Sequence, residues 1–311
     1  MDLRASTFAW NTYRLDYYRL SSLDRFLCSR SFDQIIVSQE LINDWLVEYK
    51  VPTASINGYL KTLRAFMGYR RNLGLPVYLP PYRKQQDSYI PYFFSDKELN
   101  AIIKYADILE TIRPGLITPD IYLKIPMIIR VLYSTGLRLN EVLCLKMKNV
   151  NFENGVLTIV NAKHDKQRLV PIHATLNETL YKYCIFLGIT LKPDAFVFSG
   201  MRSGTHMSPS VVQKHFKFIL KYLGIISGYE DKHERGPCLH CLRHCFILLS
   251  FKQLEKNGIT VDLSFPYLSV YCGHVSLIAT EKYMKFSSEM FDSDMTRFTD
   301  FSDHLFPEVE L

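Results

Sequence analysis

The chain has 311 residues, 48% of them hydrophobic and 22% charged, an ordinary globular balance with enough length for about two domains. It contains no apolar run of about 18 residues, which argues against a membrane span, and no apolar segment near its start, which argues against a secretory signal. Seven cysteines are an odd number without the spacing of a disulfide framework, so we expect free thiols and a cytoplasmic protein.

The net charge of +6 is unevenly distributed along the chain. Residues 287–311 contain seven acidic side chains and one basic side chain, so this tail carries −6 and the preceding residues carry +12. A basic body suggests a polyanionic partner. A solvated basic surface explains the charge about as well, so charge alone does not decide between the two.

The first 80 or so residues have a helical pattern. An apolar stripe with helical spacing is followed by Gly74 and Pro76, which predict a helix end; the stripe consists of Ile56, Leu60, Leu63 and Met67. A basic stripe lies beside it and consists of Lys61, Arg64 and Arg71. These three side chains are candidate phosphate contacts, and the alternative is a solvated helix face.

A proline-rich segment separates this region from the rest. The stretch PVYLPPYRKQQDSYIPYF has four prolines and little periodicity, which predicts an extended interdomain linker. A new helix is predicted directly after it, because Ser95 and Glu98 have the spacing of a capping box.

The region after the linker is mixed. DIYLKIPMIIRVLYSTG predicts a buried helix that ends at Gly136, and RLNEVLCLKMKNV predicts a second, short helix. Residues 156–160 and 168–172 alternate with period two and predict two or three antiparallel strands, with KHDK as the turn between them. The remaining segments have helical periodicity.

The segment PCLHCLRHCF, residues 237–246, has three cysteines and two histidines, and we predict a helix from Cys238 to Leu249. At about 100° per residue the cysteines fall on one face with leucines, whereas His240 and Arg243 share the opposite face. A structural zinc site needs four converging ligands, so cysteines packed in the core explain this pattern better than a metal site. The imidazole and guanidinium beside each other suit phosphate binding and proton transfer.

Four stretches, in order, resemble the conserved boxes of the tyrosine recombinase (phage integrase) family. STGLRLNEVLCL is similar to the first arginine box and NAKHDKQRLVPI to the β-hairpin lysine segment. HCLRH is similar to the His-x-x-Arg box, and CGHVSLIATEKY to the Gly-His box followed by the nucleophile. Each box alone is a weak signal, but four in order are specific. The implied catalytic residues are Arg138, Lys163, His240, Arg243, His274 and Tyr283.

Two of these assignments have rivals nearby. Lys166 lies close to Lys163 on the same predicted hairpin. Tyr283, the implied nucleophile, is one of 20 tyrosines, and only the spacing of its box selects it over Tyr267 and Tyr271.

The resemblance covers roughly residues 95–286 and implies a mainly α fold with a small antiparallel β-sheet (α+β). It also implies that Glu141 and His244 are structural support that holds the arginines in place. The predicted parts are a helical core-DNA-binding domain at 1–80, an interdomain linker at 81–94, an integrase-like catalytic domain at 95–286 and an acidic tail at 287–311 that docks in trans.

The chemistry of strand exchange gives each residue a role. Breaking a DNA strand without losing the bond energy requires a covalent intermediate, here a 3′-phosphotyrosyl linkage. Two permanently charged arginines suit the charge that gathers on the phosphate oxygens. We assign Lys163 to protonate the leaving 5′-oxygen, His240 to accept the proton of Tyr283, and His274 to hydrogen-bond the phosphate. This chemistry requires no metal and no other cofactor.

The predicted function is a site-specific DNA recombinase that integrates, excises or resolves a DNA element. The expected partner is double-stranded DNA with paired recombination half-sites, bound by a dimer per site and a homotetramer in all, near the nucleoid and away from membranes. The alternatives are a type IB topoisomerase or hairpin-forming resolvase with the same chemistry, and a catalytically silent DNA-binding protein.

Overall fold

The computed structural model describes residues 10–84, 91–115, 120–161, 166–227 and 236–273. Residues 163–165 of the predicted KHDK turn, the predicted helix in VSLIATEKYMKF and the acidic tail lie outside these residues, whereas Lys166, the last residue of the predicted turn, begins a strand. The chain divides into two compact units, Met1–Ser88 and Tyr89–Leu311. No helix among the described residues is both long and apolar enough to cross a membrane.

The first unit is helical. Its helices are α1 (Trp10–Ser29), α2 (Gln39–Glu48) and α3 (Thr53–Asn72). The predicted apolar stripe of α3 is buried throughout, and the unit's core also buries Trp45. The indole Nε1 of Trp45 donates a hydrogen bond to Ser22 Oγ over 3.2 Å, so its one polar atom is satisfied inside the core.

The segment after α3 has no regular secondary structure, yet it is held on the first unit. Residues 77–79 pack against the core. Asn57 Nδ2 donates to the carbonyl of Arg83 over 2.8 Å, and Arg83 N donates to Asn57 Oδ1 over 2.9 Å. The first residues of the predicted linker are therefore anchored, while the domain boundaries themselves stay a prediction.

The second unit contains the remaining described helices. They are α4 (Asp96–Asp107), α5 (Leu109–Ile112), α6 (Ile121–Thr135), α7 (Leu139–Leu143), α8 (Ala174–Phe186), α9 (Pro209–Tyr222), α10 (Leu239–Lys256) and α11 (Val261–Cys272), with one 3₁₀ turn at Met147–Asn149. The capping box predicted at the start of α4 is present, because Ser95 Oγ accepts from Glu98 N and the Glu98 carboxylate accepts from Ser95 N.

Helix α6 is the central element of this unit and ends where the sequence predicted. Most of its side chains are buried in the main core. Gly136 follows with φ of +59°, a left-handed conformation that favours glycine. A Cβ at Gly136 would lie 2.3 Å from Phe246, so this helix end also depends on glycine for the close approach of α10.

The sheet has three antiparallel strands in the order β1 (Val150–Asn151), β2 (Val156–Asn161) and β3 (Lys166–Pro171). In the β2–β3 register, Leu157 pairs with Val170 and Ile159 pairs with Arg168. Leu157, Ile159 and Val170 are buried, so Arg168 projects from the face of the sheet that packs on the core. The predicted mainly α fold with a small antiparallel sheet is confirmed.

Candidate active site

Helix α10 carries the His-x-x-Arg pair, and it begins one residue later than predicted. Cys238 is the N-cap residue, with extended backbone and an exposed side chain, whereas Cys241 and Cys245 are buried in the core. The predicted stripe of three core cysteines is therefore wrong for Cys238, because the chain is not yet helical there.

The two residues of the predicted opposite face of α10 differ in exposure: His240 is exposed, whereas Arg243 is buried. Arg243 is only 2% exposed. Its Nη1 donates to the carbonyl of Gly136 over 2.5 Å, and its Nη2 donates to the carbonyl of Cys272 over 2.8 Å. These carbonyls belong to the ends of α6 and α11, where helices carry partial negative charge. Two helix ends thus cover Arg243 and stabilise its buried charge.

Arg138 is the N-cap residue of α7 and is the more accessible of the two arginines. Its side chain is 41% exposed. Glu141 reaches back to it: Oε2 accepts from Arg138 N over 2.9 Å and Oε1 accepts from Arg138 Nη1 over 3.1 Å. Arg138 Nη2 donates to the carbonyl of Gly273 over 3.1 Å.

A third arginine, which the sequence analysis did not select, completes this cluster. Arg168 on β3 donates from Nη1 to Glu141 Oε1 over 3.1 Å and from Nη2 to Glu141 Oε2 over 2.9 Å, a bidentate pair. Its Nε donates to the carbonyl of Tyr271 over 2.9 Å. The sequence did contain a signal for Arg168, because it alternates in step with the buried residues of its strand and therefore faces inward. An inward-facing arginine needs a partner for its charge.

The three arginines converge on one short stretch of backbone. Arg168, Arg243 and Arg138 donate to the carbonyls of residues 271, 272 and 273, respectively. These are three successive carbonyls at the end of α11, immediately before the predicted catalytic residue His274 in the sequence. The structure therefore brings together the predicted arginines of the first and third boxes at the start of the fourth, the Gly-His box.

Within the described ranges, Glu141 is the carboxylate that pairs with this arginine cluster. Burial acts to raise its pKa, but the hydrogen bonds from Arg168 and Arg138 and the charges of both guanidinium groups outweigh burial, so the pKa is lowered. Each of its oxygens accepts two hydrogen bonds. Three guanidinium groups against one carboxylate leave the cluster with a surplus of positive charge, as an anion site requires.

The two histidines of α10 lie beside the arginines and contact each other. The His240 and His244 rings form an edge-to-face pair with centroids 4.7 Å apart. Desolvation lowers the pKa of His240, and the positive charges of Arg243 and Arg138 lower it further, although part of its side chain is exposed. Burial, together with His240 and Arg243, lowers the pKa of His244 to about 3. Both imidazoles are therefore neutral at neutral pH.

Three of the predicted catalytic residues lie outside the described residues: Lys163, His274 and Tyr283. The rival lysine, Lys166, is the first residue of β3 and pairs with Asn161 across the strands. In the parts of the chain that are described, no group of three or more His, Cys, Asp or Glu side chains could hold a metal ion.

The three predicted DNA contacts lie on α3 in the first unit. Lys61 and Arg71 are exposed. Arg64 is half-buried; its Nη1 donates to the carbonyl of Pro80 over 2.6 Å, and its guanidinium lies 5.0 Å from the centre of the Tyr82 ring. Arg64 therefore helps to hold the segment after α3, a role that the sequence did not suggest.

Comparison with known proteins assigns the family. The profile of the phage integrase family matches residues 93–289. The tyrosine recombinase XerD of Proteus mirabilis is 25% identical over 298 residues, which are 92% of this chain and 85% of XerD. The protein y4rE of Sinorhizobium fredii is 30% identical over 203 residues, 64% of this chain and 61% of y4rE. The chain therefore belongs to the phage integrase family, that of the tyrosine recombinases.

The fold comparison agrees. The XerH site-specific recombinase, solved as a post-cleavage complex with a palindromic difH substrate, superposes with a TM-score of 0.67 at 20% identity, covering 93% of this chain and 79% of XerH. At this identity the superposition establishes the fold. The chain spans between 50% and 61% of the length of y4rE and of two further relatives that it matches.

Proposed function

We propose that this protein is a site-specific DNA recombinase that cleaves and rejoins DNA strands through a 3′-phosphotyrosyl intermediate. The observation that carries the proposal is the convergence of Arg138 and Arg243 on the two adjacent carbonyls that precede His274. Two arginines fixed on one rigid piece of backbone form a preorganised site for a single phosphate.

In this proposal the two arginines stabilise the negative charge that develops on the non-bridging oxygens of the scissile phosphate. Preorganised donors in a partly desolvated site act more strongly on such charge than water does. His240 accepts the proton of the attacking tyrosine. Its lowered pKa supports that role, because a neutral imidazole has a free lone pair at neutral pH.

The remaining steps rest on residues outside the described part of the chain. Tyr283 is the nucleophile, Lys163 protonates the 5′-oxygen that leaves, with Lys166 as its rival, and His274 hydrogen-bonds the phosphate. Glu141 and His244 are structural support: Glu141 holds Arg138, and His244 packs against His240. Their contacts with Arg138 and His240 support this assignment.

The rival nucleophiles on α11 are less suited to attack. The hydroxyl of Tyr271 donates to the carbonyl of Pro171 over 3.1 Å, and its ring stacks on Phe246. Burial raises the pKa of Tyr271 above its ordinary value, which makes deprotonation harder. Tyr267 is 77% exposed, with its ring in solvent and not against the arginines.

The proposed substrate is double-stranded DNA with paired half-sites. XerH was solved with a palindromic difH substrate, and the body of this chain is basic. We propose that a dimer binds each site, that two sites form a tetramer, and that residues 287–311 dock in trans on a neighbouring protomer. Residues 1–80 then form the core-binding domain, in which Lys61 and Arg71 contact phosphates. Arg64 contributes less to phosphate binding, because its guanidinium donates to the carbonyl of Pro80.

The test is covalent capture. The protein is incubated with a pool of nicked duplexes that carry randomised arms, and DNA that stays attached after denaturing washes is sequenced. We expect the protein to retain a subset of the pool with related half-sites, and the Tyr283→Phe variant to retain none. The Tyr271→Phe variant is the matched control and should retain the same DNA as the unmodified protein.

The outcomes separate the alternatives. An adduct that survives in Tyr283→Phe would move the nucleophile to another tyrosine. DNA binding without any adduct would identify a catalytically silent DNA-binding protein. Adduct formation on single duplexes, with relaxation of supercoils but no strand exchange between two captured sites, would instead support a type IB topoisomerase.

A further inference from the structure

Arg168 is a charged side chain with an unusual degree of internal pairing. Its side chain is 14% exposed, against 41% for Arg138. All three guanidinium nitrogens donate hydrogen bonds within the protein: Nη1 and Nη2 to the carboxylate of Glu141, and Nε to the carbonyl of Tyr271. These hydrogen bonds fix the guanidinium between the Glu141 carboxylate and the backbone at the end of α11.

Its partners are the elements that hold Arg138. Glu141 accepts two hydrogen bonds from Arg138 and two from Arg168, so the position of the carboxylate is set by both. Without Arg168, only the backbone N and Nη1 of Arg138 would hold the carboxylate, and Oε2 would be free to turn from the Arg138 backbone N to the Arg138 guanidinium. A bidentate pair would then neutralise the guanidinium that the proposed function reserves for phosphate.

Arg168 also abuts the turn that follows α11. Gly273 has a left-handed backbone, with φ of +65°. A Cβ at that position would lie 2.8 Å from Cζ and Nη1 of Arg168, so the guanidinium packs directly on this glycine. Arg168 therefore contacts the backbone that immediately precedes His274, from the side of the β-sheet.

We propose that Arg168 is a positioning residue for DNA cleavage: it orients Arg138 through Glu141 and fixes the turn at residues 271–273. The inference rests on the proposed function, because its effect is read in the cleavage step. Arg168 itself does not touch the phosphate. Its contribution is to keep Arg138 in a single orientation, since a displacement of about 1 Å in a catalytic group costs on the order of a hundredfold in rate.

The experiment compares Arg168→Met with Arg130→Met. Arg130 on α6 makes a similar bidentate pair with Asp107, over 2.7 and 2.6 Å, and does not contact the arginine cluster. The substrate is a duplex recovered by covalent capture, nicked so that cleavage is irreversible. Single-turnover cleavage is measured with protein in excess, which gives a rate constant and an amplitude, and DNA affinity is measured separately at several salt concentrations.

We expect Arg168→Met to lower the rate constant by about a hundredfold with little change in affinity or in salt dependence, and Arg130→Met to leave the rate constant unchanged. Arg168→Lys should recover part of the loss, because it restores the charge but not the three-point contact. The double variant with Arg168→Met and Glu141→Gln should lower the rate constant no further than the more severe of the two single variants. Both changes break the same pair, that of Arg168 with Glu141.

Other results would overturn the inference. A wild-type rate constant in Arg168→Met, or a loss of amplitude alone, would reduce Arg168 to a structural role, since unfolding removes active molecules without slowing the rest. If the slope of log affinity against log salt concentration were smaller in Arg168→Met by about one phosphate contact, Arg168 would be a DNA ligand. If Arg168→Met does not fold, the rate constant of Arg168→Lys decides by the same criterion. Absence of cleavage in the unmodified protein would instead refute the proposed function.

Discussion

The two predicted catalytic arginines of the described site are held in opposite ways. Arg243 is buried and its guanidinium donates to two neutral carbonyls, at Gly136 and Cys272. Arg138 is partly exposed and pairs with a carboxylate, which a third arginine shares. One positive charge is thus supported by the partial negative charges of two helix ends, and the other by an ion cluster whose carboxylate is shared with a second arginine.

The difference indicates how a phosphate site can combine rigidity with access. Arg243 is part of the packing of α6, α10 and α11, so its removal affects the fold as well as the site. Arg138 lies on the open side of the cluster, where substrate can reach it. We therefore expect stability to depend mainly on Arg243, and cleavage to depend on both.

Replacement of the two arginines gives the largest expected effects. Arg243→Met leaves two buried carbonyls without their donor, which should lower the free energy of unfolding by roughly 2–5 kcal/mol. Arg138→Met should lower it by less than about 1 kcal/mol, because Arg168 continues to pair with Glu141. Each change should slow single-turnover cleavage by about 10²- to 10³-fold. Urea unfolding and covalent adduct formation measure the two quantities.

A particular pattern would contradict this comparison. If Arg138→Met destabilised the fold as much as Arg243→Met, Arg138 would be a packing residue like its counterpart. If Arg243→Met kept normal stability, the helix-end carbonyls would be satisfied in another way and the burial of Arg243 would not matter for folding.

An intermediate effect is expected from Gly273→Ala, which alters the backbone that joins the two arginines. The left-handed conformation should cost about 1–2 kcal/mol in stability, and the new methyl group should displace Arg168. Gly258→Ala is the matched control, since Gly258 has φ of +77° and open space around it. Both variants should lose similar stability, but only Gly273→Ala should slow cleavage. Equal cleavage rates in the two variants would mean that the contact with Arg168 is dispensable.

The sequence predicted much of the fold because its signals were local. The end of α6 at Gly136, the capping box at Ser95 and the alternation in β2 and β3 each depend on neighbouring residues, and the structure confirms all three. The family boxes also identified the two arginines and His240, although their roles stay predictions.

The missed features depend on contacts between distant parts of the chain. Arg168 looked like an ordinary strand residue, since its partners at Glu141 and Tyr271 are 27 and 103 positions away. Helical angles alone placed Arg243 on a face away from the core, because they could not show that two other helix ends cover it. Cys238 was misassigned for a simpler reason: the helix boundary falls one residue later.

The smallest expected effect concerns the pH dependence of stability and tests the ion cluster itself. Burial raises the pKa of Glu141, but Arg168 and Arg138 outweigh it, so the folded pKa lies below the ordinary value of 4.5. A carboxyl with a lowered folded pKa stabilises the fold above its unfolded pKa, and this contribution is lost as pH falls through the folded pKa. Glu141→Gln should therefore show a shallower decline in unfolding free energy below pH 4.5 than the unmodified protein.

Glu98→Gln separates this effect from carboxylates in general. Burial raises the pKa of Glu98 as well, but hydrogen bonds from Tyr92 and Ser95 outweigh it and lower the pKa. Glu98 belongs to the capping box of α4, and its hydrogen-bond partners are Tyr92 and Ser95, not the three arginines. Both variants should flatten the acid decline in urea unfolding, whereas only Glu141→Gln should slow cleavage at neutral pH, because only it frees Arg138 and Arg168 from a shared carboxylate. If Glu98→Gln slowed cleavage equally, the slower cleavage would reflect a general loss of stability. The difference between Arg243, held by helix ends, and Arg138, held by a carboxylate, would then have no consequence for cleavage.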